Sequence, residues 1–102
     1  MNGNKLVLST AFVAATLLAF NIQAYTGEKY AKDAKIGLKE ARTIALKAFP
    51  GKIVDEELER EKGGSGLRYS FDIKKGKTTQ EVGVDAKTGK VLENDAESAH
   101  PD

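Results

Sequence analysis

The chain contains no cysteine, one histidine and two prolines in 102 residues. Without cysteine it forms no disulfide, offers no thiol nucleophile and lacks the residue that a lipoprotein would acylate. The one histidine, His100, stands near the C-terminus in a segment with nothing to hold it as a base beside a nucleophile. Ser65 lies in a glycine loop and Ser70 alternates outward, and neither has a partner that would activate it. Nor is there a basic surplus. Sixteen basic against 15 acidic side chains argue against a nucleic-acid partner, because phosphate binding needs a basic surplus. Long apolar runs are short too: Leu6 to Phe20 falls below the roughly 18 residues of a membrane span.

That run has another reading. Lys5, the apolar stretch behind it, and Asn21-Ile22-Gln23-Ala24 before Tyr25 follow the n-, h- and c-region order of a secretory signal peptide, residues 1–24, with cleavage expected after Ala24. Its removal takes away one lysine and no acid, leaving basic and acidic residues equal in number. The expected location is periplasmic or secreted, with no membrane contact after cleavage. Lacking disulfides, the exported domain must be held by a small core alone.

What is present begins with alternation. Leu67, Tyr69, Phe71 and Ile73 alternate with Arg68, Ser70, Asp72 and Lys74, the pattern of a half-buried antiparallel strand. After a turn at Lys75-Gly76 the pattern resumes with Val82, Val84 and Ala86 on one face and Glu81, Gly83 and Asp85 on the other, which makes a hairpin. A further turn, Asp85 to Gly89, leads to a short strand at Val91-Leu92. Upstream, Leu38, Ala41, Ala45, Ala48 and Phe49, with Ile44 alongside, share one helical face, and Pro50-Gly51 stops that helix. Gly37 stands at the N-cap without a side-chain oxygen, three residues before Glu40. Lys52 to Lys62 is ambiguous by propensity. Its glutamates favour helix, its Ile53-Val54 pair favours strand, and the neighbouring hairpin decides for an edge strand because a two-stranded ribbon is unstable alone. The fold class is α+β: one amphipathic helix packed on a three- to four-stranded antiparallel meander, a two-layer single domain. Residues 25–35 are expected as a flexible leader, 36–93 as the domain and 94–102 as a disordered tail.

The helix with its Pro-Gly stop, Ile53-Val54 to Leu58-Glu59, Tyr69-Ser70-Phe71-Asp72-Ile73 and, above all, Val84-Asp85-Ala86-Lys87-Thr88-Gly89-Lys90-Val91 resemble the PepSY domain over roughly Ile36 to Glu93. The resemblance implies a module that binds or inhibits peptidases, or regulates proteolysis near the cell surface, as in the propeptides of thermolysin-like metallopeptidases. It carries no catalytic residues over, and with no peptidase attached any inhibition would act in trans.

Function is therefore sought in surface recognition, with no enzyme activity and no cofactor expected and a protein partner, a peptidase or another envelope protein, as the implied ligand. The sheet face opposite the helix presents Arg68, Ser70, Asp72, Lys74 and Glu81, with Gln80 or Asp85, a mixed charged array in which Arg68, Asp72 and Glu81 are the candidate contact residues. Two alternatives remain open. Asp55, Glu57, Glu59 and Glu61, or the acidic tail, could attract a divalent cation, although a strand spreads its oxygens in a line instead of gathering six or more, and a solvated charged face explains both runs. The small core could also be completed by self-association. Gly63-Gly64-Ser65-Gly66 lacks the Lys-Ser/Thr of a phosphate cradle and reads as a hairpin linker.

Overall fold

The computed structural model describes residues 25–97; the expected signal peptide and His100 lie outside the described residues. A 3₁₀ helix at Glu28–Asp33 precedes α1 (Leu38–Ala48), followed by β1 (Lys52–Arg60), β2 (Leu67–Lys75), β3 (Thr78–Asp85) and β4 (Val91–Ala96). The four strands are antiparallel neighbours in the order β1-β2-β3-β4. This is the expected α+β domain, one principal helix on a meander, with the sheet at four strands.

The core is the sheet's inner face closed by α1. Tyr69, Phe71, Ile73, Val82 and Val84 are all at most 1% exposed, as their two-residue spacing requires. Ala41 and Ala45, one turn apart, are fully buried, and their small side chains let the helix axis approach the strands closely. Leu38, Ile44, Ala48 and Phe49 flank them, partly covered. The helix begins at Gly37 with no side-chain cap, as expected, and ends where the Phe49 N–H donates to Ala45 O.

Two bulges adjust the alternation. Between Ile53 and Asp55 the β1 register slips by one residue, so that Ile53 opposes Ile73 while Leu58 opposes Tyr69. Val54 is the displaced residue and is 52% exposed. Without that slip Leu58 would point to solvent, since a one-residue shift reverses every side chain beyond it. Glu56, also turned to the helix side, is met by Arg42 of α1 in a two-pronged pair, Nε to Oε1 at 2.9 Å and Nη2 to Oε2 at 2.7 Å. A second slip, between Gly83 and Val84, lets β4 turn Val91 inward and Glu93 outward.

Both ends of the domain reach farther than expected. β4 extends to Ala96, so residues 94–96 are strand and not tail. The stretch 25–35 straps the β1 edge: Thr26 O accepts from the Leu58 N–H at 2.8 Å, Arg60 reaches Asp33 at 2.8 Å and lies over the Tyr30 ring, and Ala86 O accepts from the N–H groups of Lys35 and Ile36. Gly27 makes the strap possible. Its φ is 87°, and a Cβ there would fall 1.7 Å from Leu58 O. The Tyr69 hydroxyl, donating to Ile36 O at 2.9 Å, fastens the segment to the core.

Phe71 is fully buried at the centre of this arrangement, so Phe71→Ala is expected to lower stability by about 3–5 kcal/mol. In urea denaturation that loss shows as a lower midpoint or as an unfolded chain, whereas Val54→Ala, on the bulge, is expected to change stability by less than about 0.5 kcal/mol.

Candidate functional site

The sheet face away from α1 carries charged side chains on every strand, and its layout follows from register. Residues directly opposite on neighbouring strands share a face. One line across the sheet is Asp55, Asp72, Glu81 and Asp95; the next is Glu57, Ser70, Gly83 and Glu93; beyond it come Glu59, Arg68 and Asp85. On the other side of the first line lie Lys52 and Lys74, both exposed. The face is predominantly acidic, not the mixed array expected, because β1 and β4 each add carboxylates to those of the hairpin.

Arg68, unlike the exposed Lys52 and Lys74 at the edge of this field, is enclosed within it. It is 7% exposed. Its Nη1 donates to Glu93 Oε1 at 3.4 Å and stands 3.9 Å from Glu61 Oε2, while Nη2 donates to Lys62 O at 3.0 Å. Its Nε is buried without a hydrogen-bond partner among the described residues. Gly83 provides the room: a Cβ there would lie 3.3 Å from Arg68 Cδ and Nη1. Ser70 Oγ donates to Glu59 Oε2 at 2.7 Å, so the hydroxyl is held by the face and not presented as a nucleophile.

Asp85, 1% exposed, organises the rim. Its carboxylate accepts from the Ser65 N–H at 2.6 Å, Ser65 Oγ at 2.8 Å, the Lys87 N–H at 2.8 Å and the Thr88 N–H at 3.1 Å. The glycine linker and the β3–β4 turn are thus tied through one side chain. Burial alone would raise its pKa, but the hydrogen bonds from Lys87, Ser65 and Thr88 outweigh it and bring the value down to about 2. The centre of the face behaves oppositely. Burial, then the charges of Glu93, Asp72, Glu59 and Glu97, push Glu81 up to about 7. Burial, with the charges of Glu97 and Asp55, raises the pKa of Asp72 from its ordinary value.

Of the three candidate contact residues, the structure sets Asp72 and Glu81 directly opposite each other and leaves both half-buried. Arg68 lies two registers away and is buried. Glu93 and Asp95 were hidden by reading that region as the end of the domain; the length of β3, which needs a partner along its outer edge, is the signal that could have found them. Among the described residues no three side chains converge on a metal position. Also among them, no helix is long and apolar enough to cross a membrane.

Residues 35–95 match the model of the peptidase propeptide and YPEB domain family, PepSY. The match covers more than half of the chain, which therefore belongs to that family, one linked to the propeptides and regulation of peptidases. No curated protein and no solved structure matches it.

Because Asp85 holds a lower pKa folded than unfolded, its contribution is present above about pH 4 and is lost as pH falls through about 2. That contribution is about 2 kcal/mol. Asp85→Asn turns an N–H toward a backbone donor, and urea denaturation at neutral pH should show a loss of about 2–3 kcal/mol together with a shallower acid limb.

Proposed function

We propose that this chain is an exported, non-enzymatic binding module that engages a peptidase, or another protein of the cell envelope, through its open sheet face. The family match supports a peptidase-linked role, and the acidic face supplies the surface. The observation that carries the reading is the gathering of carboxylates from all four strands around a single enclosed arginine. Such a face favours a basic surface on the partner, steers its approach and repels acidic ones. Asp72 and Glu81 lie at the centre of the contact, with Asp55 and Glu57 at its β1 side. Arg68 acts from behind, fixing Glu93 on β4. A leader cleaved after Ala24 would deliver the domain outside the cytoplasm, where its lack of cysteine makes it indifferent to redox conditions.

A divalent cation is a weaker occupant, because the face spreads its carboxylates over a pleated plane and no three of the described side chains converge.

The test is hydrolysis by a thermolysin-like metallopeptidase followed with the purified protein added at micromolar concentration. Inhibition in trans is expected, declining as salt is raised. The double variant Asp55→Lys with Glu57→Lys should slow association by about tenfold or more. Neither inhibition nor capture of the peptidase at that concentration would count against the reading.

A further inference from the structure

Like charges placed directly opposite on neighbouring strands destabilise a sheet, and acids are ordinarily paired there with bases or neutral groups. Here Asp55 opposes Asp72, Asp72 opposes Glu81 and Glu81 opposes Asp95. One line across the whole sheet carries a carboxylate on every strand, with neighbouring Cβ atoms about 5 Å apart. The end members Asp55 and Asp95 are exposed, whereas the central pair, Asp72 and Glu81, is half-buried and poorly shielded by water.

Around the central pair, Asp72 and Glu81, most neighbouring charges are negative. From β1, Glu57 and Glu59 face it, and Glu59 is tied to Ser70. From β4, Glu93 faces it and Glu97 follows the strand, adding negative potential at Glu81. On β2 and β3, Arg68 is held by Glu93 and the Lys62 carbonyl, and the Asp85 carboxylate is turned into its own loop. Lys52 and Lys74 in the flanking register are exposed, so solvent screens their pull. α1 packs on the opposite side of the sheet and presents no group to the line.

We propose that the carboxylate pair Asp72–Glu81 at the centre of this line is a proton-operated switch: a proton held there relaxes the sheet, and losing that proton charges the face and loosens the domain. The value of about 7 at Glu81 agrees with this geometry. The sign follows from linkage. A carboxyl whose folded value lies above its unfolded one leaves stability intact at low pH and withdraws it as pH rises through the folded value. Between about pH 5 and about pH 8 the face therefore gains negative charge while the fold loses stability. As a regulator of the face proposed above as the docking surface, the switch rests on that reading, and it would favour a basic partner on the alkaline side.

The switch is tested on the full chain without any partner. Carbon-13 NMR of the wild-type protein is expected to show the Glu81 carboxyl titrating near neutrality, well above an ordinary glutamate. Urea denaturation should show the wild-type unfolding constant rising by about tenfold or more between about pH 5 and about pH 8, less steeply at high salt. Glu81→Gln should be flat over that window, and Glu40→Gln, on the solvent side of α1, should keep the wild-type profile. A Glu81 carboxyl that titrates below about pH 5, or a Glu81→Gln variant with the wild-type loss, overturns the proposal. Should that variant not fold, the wild-type titration alone decides. Failure to inhibit a peptidase would leave these results unchanged, so the two ideas fail separately.

Discussion

The two-residue period of an extended chain is the constraint from which both faces of this domain follow. Once Tyr69, Phe71, Ile73, Val82 and Val84 are drawn under α1, the residues between them have only one place to go. Closing the core and assembling the charged face are one event. The bulge at Val54 belongs to the same logic, for it keeps Leu58 on the core side of the sheet and sends Asp55, Glu57 and Glu59 outward beside Asp72, Ser70 and Arg68. Stability and surface chemistry are therefore coupled through register, and a slip in any strand would scatter the carboxylates and uncover the core together.

The charged face also shows where the domain gives up stability. Asp85 and Glu81 lie on the same strand, and their surroundings move their proton affinities in opposite directions. Asp85 meets four donor contacts from the turn and the glycine linker, so its charge holds the rim together. Glu81 meets other carboxylates. For the stability of the sheet alone, a lysine opposite Glu81 would be the favourable choice.

Much of the architecture was legible because it is local. The alternation from Leu67 to Ile73, the 3.6-residue spacing from Leu38 to Phe49 and the Pro50-Gly51 stop each determine an element by themselves. The β1 strand was legible only by inference from its neighbour, since its glutamates suit a helix equally well. The strap across β1 was not legible, as it depends on backbone contacts such as Thr26 O with the Leu58 N–H, which side-chain pattern does not encode. Nor was the full acidic face. Asp72 and Glu81 were found on the correct side, but the bulges that turn Asp55 and Glu93 to the same face are long-range matters of pairing, and Arg68 alternates outward in sequence while lying buried in space.

The central claim is that one side of the sheet is sealed and the other is open. It is tested most directly by NMR of the protein with a soluble paramagnetic probe. Resonances of Asp55, Glu57, Asp72 and Glu81 are expected to broaden, while Phe71, Val82, Val84 and the methyls of Ala41 and Ala45 stay sharp and show mutual short-range contacts. Equal broadening on the two sides, or sharp lines for the acids with broadened lines for Phe71 and Val82, would contradict it.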